Sequence, residues 1–191
     1  MKIKISFFGV LMLVSLVLTQ SYLSLAALLA SFVHEMGHLL SASVCEVPIK
    51  ELKLDIFGAS LTPTHAFQSY KKEIAVALGG PLVNIFFGIF ILIFGASRGA
   101  FLNTFMMASF FLGTLNLLPI RDFDGGRVLN CALCSVSSPQ FSERVCSAAS
   151  FAVLLVMWML SVYMLLQFGA SLSLFVFSFA LLCKMVVSKK N

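Results

Sequence analysis

Residues Ser21 to Val44 read SYLSLAALLASFVHEMGHLLSASV. At ~1.5 Å of rise per residue, this run is long enough to cross the ~30 Å hydrocarbon core of a bilayer as one helix. Apart from Tyr22 at its edge, its only ionisable residues are His34, Glu35 and His38. Groups of that kind are costly in hydrocarbon unless paired or bound, so their presence points to a function. His34 and His38 stand four residues apart on one helical face and can hold the same metal ion. Glu35 is rotated from His34 by ~100°, which lets it reach a metal-activated water without ligating the ion. H-E-x-x-H therefore leads to the expectation of a zinc-dependent peptide hydrolase with its site inside the bilayer. The alternative is two helix histidines hydrogen-bonded to neighbouring helices.

Outward from this stretch, the 191 residues are 60 % hydrophobic with a mean hydropathy of +1.01, which excludes an ordinary soluble domain. The fold class expected is an all-α polytopic membrane protein forming a single domain over residues 1–191. Six spans are read at about 5–20, 22–45, 74–96, 100–119, 146–167 and 170–187. The net charge of +5 does not indicate a nucleic-acid partner, because its distribution reports topology instead. With the N-terminus in the cytosol, Arg98 is the one basic residue of thirteen on the far side. Both termini are then cytosolic, and the first span is an uncleaved anchor rather than a signal peptide.

All five cysteines fall near the expected cytosolic ends, where thiols stay reduced. Cys131 and Cys134 form a lone CxxC and read as small packing residues, since a zinc ribbon needs two such pairs. The segment after the second span alternates from Leu52 to Ile56, with Gly58 as a possible turn and Ala59 to Thr62 running back. It reads as a small cytosolic β-hairpin or an amphipathic loop. A hairpin there can accept an unwound substrate as an added strand, which a proline at Leu54 would test. His65 beyond it reads as a solvated loop histidine.

A catalytic zinc takes three protein ligands. The third is sought in NLLPIRDFDGGR, Asn116 to Arg127, where Asp122 and Asp124 follow the fourth span. Gly125 and Gly126 permit a tight turn bringing a carboxylate to a metal. Spacing alone leaves open which aspartate ligates, or whether this is a polar loop with Arg121 and Arg127 pairing the carboxylates. The motif ends about seven residues before the cytosolic end of its span, roughly 10 Å, so water can reach it from that side. Gly37, with Gly79 and Gly80 on the third span, permits close helix packing around it.

H-E-x-x-H on the second span, Gly79-Gly80-Pro81-Leu-Val-Asn84 on the third, and N-x-x-P-x-x-x-x-D-G-G ending the fourth occur in that order. Together they resemble the site-2 protease family of intramembrane zinc metalloproteases, over a catalytic core of about residues 22–130. The compact length is closest to the branch containing the sporulation pro-sigma-factor protease, without the C-terminal CBS domain frequent there. The resemblance implies one Zn²⁺ per chain on His34, His38 and Asp124, with Glu35 and Asn116 as catalytic residues. Asn116 would bind substrate or the oxyanion, Asp122 is an extra carboxylate, and Asn84 reads as an interhelical hydrogen-bonding residue. It implies cleavage of membrane-protein or membrane-associated peptide substrates in a bacterial plasma membrane, with room for a membrane regulatory partner. A non-catalytic scaffold or transporter that retains this fold is the alternative.

Overall fold

The structure is a computed structural model that describes residues 2–5, 21–55, 58–63, 69–95, 99–168 and 172–188. The expected first span, His65 and Arg98 lie outside the described residues. Elements run in the order β1 (Lys2–Ile5), α1 (Tyr22–Val44), β2 (Ile49–Asp55), β3 (Gly58–Pro63), α2 (Tyr70–Phe94), α3 (Ala100–Asn116), α4 (Asp124–Cys134), α5 (Pro139–Phe168) and α6 (Leu172–Ser188). Among the described residues, the structure is helical apart from one small sheet and the connecting turns. Among the described residues, Tyr22–Val44, Tyr70–Phe94 and Pro139–Gln167 are long and apolar enough to cross a membrane. Ala100–Asn116 and Phe175–Met185 are shorter apolar helices. The chain divides into two compact units, Met1–Leu117 and Leu118–Asn191.

In the first unit, α1, α2 and α3 pack on one another. α1 starts where the Ser21 hydroxyl accepts the Leu23 N–H at 3.2 Å, a serine cap that satisfies one of the free amides of the first turn. Its buried residues are Ala26, Ala30, His34, Gly37, His38 and Ala42, a stripe at helical spacing made of small residues and the two histidines. Ala26 and Ala30 meet Ile91 of α2 and Phe105 of α3. The opposite surface is apolar and open, as lipid requires. Phe86, Phe90 and Phe94 follow one another up α2, with successive ring centroids 6.2 and 5.0 Å apart. All three are exposed.

α1 ends in a reversal. Val47 N–H donates to the Ala42 carbonyl at 2.8 Å, and Glu46 takes φ 55°, the left-handed conformation that closes a helix end. The chain then enters β2, which pairs antiparallel with β3 from Asp55↔Gly58 to Ile49↔Pro63, with one irregularity between Ile49 and Glu51. β1 adds in parallel on the other side of β2, Lys2 opposite Glu51 and Ile5 opposite Leu54. Leu54 is thus paired on both sides, with Ile5 and Ala59. A proline there would test the sheet itself and not docking at an edge. Among the described residues, β1 and β3 are the edge strands.

In the second unit, the polar stretch 120–145 holds more structure than its composition suggested. It contains α4 and the first turns of α5. The Ser142 hydroxyl reaches Asn130 Oδ1 at 2.7 Å, joining α5 to α4. Ser150 accepts the Arg121 N–H at 3.0 Å and fastens the segment before α4 to α5. Ser161 and Ser178 meet at 3.4 Å between α5 and α6, close to the fully buried Leu154 and Leu181.

Candidate metal centre

α1 delivers both histidines of the motif to α2. Gly37 is the reason they arrive so close. A Cβ added to Gly37 would lie 2.5 Å from the Gly79 carbonyl oxygen, and one added to Gly79 would lie 2.6 Å from the Gly37 carbonyl oxygen. Backbone meets backbone, a contact only glycine allows. Pro81 removes one N–H from the α2 ladder nearby. In this region the carbonyls of Ala75 and Val76 accept hydrogen bonds from α1. The Ser41 hydroxyl donates to Ala75 at 2.7 Å. His38 Nδ1 lies 2.8 Å from the Val76 oxygen.

The shorter contact at His38 Nδ1, the one to Val76, favours one placing of the ring proton. A carbonyl oxygen only accepts, so His38 carries its proton on Nδ1 and leaves a lone pair on Nε2. The Gly80 N–H lies 3.3 Å from the same Nδ1 and donates to it in the other tautomer. His38 Nε2 faces His34 Nε2 at 3.2 Å, with the two rings nearly perpendicular. His34 Nδ1 in turn faces Asn84 Nδ2 at 3.4 Å. His34, His38 and Asn84 are all buried.

Both Nε2 atoms border the same small space. A Cβ added to Gly80 would fall 2.5 Å from His38 Nε2 and 2.8 Å from His34 Nε2. Glycine keeps open the volume beside two converging imidazole nitrogens. Imidazole nitrogens are ligands that suit zinc. Glu35, adjacent on α1, is half-buried and points off the ligand face.

The segment Asn116 to Arg127 is built differently from the tight turn expected. Asp124 opens α4, with Gly125 and Gly126 in its first turn, and all three are buried. A Cβ on Gly126 would overlap the Ile120 carbonyl, so this glycine serves close packing of chain on helix and not a turn. Asp122 is part-exposed and bonds Lys184 of α6 at 3.0 Å. Arg121 pairs with Glu143 at 3.2 Å and reaches Ser147, rather than pairing with an aspartate. The Asn116 amide nitrogen donates to the Leu112 carbonyl one turn back at 3.0 Å. Cys131 and Cys134 lie on α4, and all five cysteines are free thiols.

The sequence profile of the Peptidase M50B-like family matches residues 7–188. The chain belongs to that family. Among solved structures it is similar to the site-2 protease from Methanocaldococcus jannaschii. That match has a TM-score of 0.70 and 21 % identity, and covers 94 % of this chain and 86 % of the other. No curated protein gave a significant match. The fold is that of this site-2 protease, and the family is one of metallopeptidases of that intramembrane type. Within the family's three motifs, what the sequence could not reveal is the Val76 main-chain oxygen that orients His38. Asn84 was visible as an amide in an apolar span, without its partner.

Proposed function

We propose that the chain is an active zinc endopeptidase that hydrolyses peptide bonds within or beside the membrane segments of its substrates. His34, His38 and Asp124 hold one Zn²⁺, and the two units of the chain act as one catalytic domain. The observation that carries this reading is the convergence of two histidine Nε2 atoms on the space kept open by Gly80. Asp124 is favoured over Asp122 because it is buried, whereas Asp122 is part-exposed and paired with Lys184.

When bound, zinc supplies a polarised carbonyl and a water that ionises near neutral pH. The remaining work falls to side chains. Glu35 takes a proton from the attacking water and returns it to the leaving nitrogen. The Val76 carbonyl holds His38 in the tautomer that leaves Nε2 for the metal. Asn116 has committed one amide hydrogen to Leu112. Its second is the donor for substrate or the developing oxyanion, worth about 2–4 kcal/mol.

Membrane-protein or membrane-associated peptide substrates, a cytosolic N- and C-terminus and a bacterial plasma membrane complete the proposal. The charge bias of the sequence supports that orientation. The test is metal analysis of detergent-purified protein together with cleavage of a single-pass reporter. One zinc per chain is expected in the parent and in Asp122→Asn, and none in Asp124→Asn. Glu35→Gln should keep its zinc and lose cleavage. A parent without zinc, or a Glu35→Gln variant that still cleaves, overturns the reading in favour of a non-catalytic scaffold.

A further inference from the structure

Ser150 is a buried hydroxyl on α5 that does more than return its hydrogen to its own helix. It donates to the Cys146 carbonyl one turn back at 2.7 Å, the ordinary habit of serine in an apolar helix, and the Pro119 carbonyl lies 3.2 Å away. Its oxygen also accepts the Arg121 N–H at 3.0 Å. The hydroxyl thus reaches both backbone groups that flank Ile120. Ile120 is in turn the hub of the segment that leads into α4. Its carbonyl accepts the Phe123 N–H at 2.9 Å and sits against Gly126, where a Cβ would overlap it. Ile120, Phe123 and Asp124 are all buried. The chain from Ile120 to Gly126 is one stiff turn, and Asp124 lies inside it.

Three other attachments compete as anchors for this turn. Arg121–Glu143 and Lys184–Asp122 join side chains between 41 and 65 % exposed, where ion pairs contribute little. Ser142 holds α4 at Asn130, six residues beyond Asp124. Ser150 is buried, and it grips main chain three residues before Asp124. Resting on the zinc reading above, we propose that Ser150 is a positioning residue that sets where Asp124 stands as the third metal ligand. Its hydroxyl fixes the Ile120–Phe123 turn on α5, and through the turn the start of α4. An alanine here keeps the helix and its packing and removes the acceptor. The turn is then free to move on α5, and the carboxylate leaves the place that a metal requires. Arg121, whose guanidinium already bonds Glu143 and Ser147, contributes through its main-chain N–H, so its side chain matters little to the metal.

The test is zinc affinity of full-length, detergent-purified protein, read by competition with a chromophoric chelator. Ser150→Ala should lose about 10-fold, the lower end of what hydrogen bonds behind metal ligands contribute. With Co²⁺ as the probe its visible bands should shift, and hydrogen exchange across residues 119–124 should quicken. Arg121→Gln keeps the amide and should stay within about 2-fold of the parent. Ser161→Ala is the control, because Ser161 is a buried α5 hydroxyl that bonds the Trp158 carbonyl and meets Ser178 of α6. It should leave affinity, bands and exchange as in the parent. Ser150→Thr retains the hydroxyl and should recover most of the affinity that alanine loses. Parental affinity and bands in Ser150→Ala overturn the proposal. So does an equal loss in Ser161→Ala, or a threonine variant no better than alanine when both unfold like the parent. If the parent takes up no zinc, or Asp124→Asn binds it as tightly as the parent, the zinc reading itself has failed and this role with it.

Discussion

Replacing Gly37 by alanine should separate the two helices that build the metal centre. The added Cβ would sit 2.5 Å from the Gly79 oxygen and 2.9 Å from both the Gly79 carbonyl carbon and Gly80 Cα. All three are backbone atoms, so no side chain can swing aside. Restoring an ordinary contact of 3.4 Å moves α1 from α2 by about 0.9 Å. Carried to the neighbouring bonds, that shift takes His38 Nδ1–Val76 O from 2.8 Å to about 3.7 Å. It takes Ser41 Oγ–Ala75 O from 2.7 Å to about 3.6 Å. Both lengths are beyond a hydrogen bond. Two lost bonds at ~1 kcal/mol each, with ~1–3 kcal/mol of overpacking strain, predict a destabilisation of about 3–5 kcal/mol. Loss of the Val76 contact should also weaken zinc by roughly 10–100-fold.

Equilibrium unfolding in mixed dodecylmaltoside and SDS micelles measures the first quantity, and competition with a chromophoric chelator the second. Gly99→Ala is the control, because a Cβ there meets nothing within 4 Å. It should cost only about 0.5–1 kcal/mol, the loss of glycine as the N-cap of α3. A Gly37→Ala protein that matches this control in stability and binds zinc like the parent would refute the close-contact reasoning.

Further outcomes follow from the same geometry. Gly80→Ala should abolish zinc binding while costing less stability than Gly37→Ala, since its Cβ meets histidine rings that can rotate away; metal analysis beside an unfolding curve separates the two effects. Glu46→Gly should raise stability by about 0.5–1 kcal/mol, because φ 55° strains a side chain but not glycine, and thermal unfolding reads the gain. Gly126→Ala should lower stability by ~1–3 kcal/mol, its Cβ having no room beside Ile120, with Gly99→Ala again as the reference. Chelation should lower the unfolding free energy by about 2.7 kcal/mol relative to protein at a free zinc concentration 100 times its Kd.

The elements read most directly from sequence are those with strong physical signals. α1 occupies Tyr22–Val44 almost as its hydropathy foretold, and the hairpin follows the alternation around Leu52 and Leu54. The six-span count rests partly on residues outside those described. The parallel pairing of Lys2–Ile5 with β2 escaped notice because four residues at a chain end carry no usable period. α4 was read as loop because Asp124-Gly-Gly carries poor helix formers, and its packing against α5 outweighs their propensity. The histidine pair was legible because buried charge in a bilayer is rare. Its orientation was not, since Val76 acts through a main-chain oxygen that every residue possesses. Asp122 and Asp124 looked equivalent by spacing and differ only once Lys184 arrives from another helix.

The glycine contact between α1 and α2 has a bearing on how a substrate reaches the centre. A route that parted these two helices would carry Val76 away from His38 and undo the arrangement that gives the histidine its free Nε2. Opening at that seam would weaken the hold on a metal, so metal binding favours a seam that stays shut. A peptide that approached across another face of α1 would leave the Gly37–Gly79 contact intact.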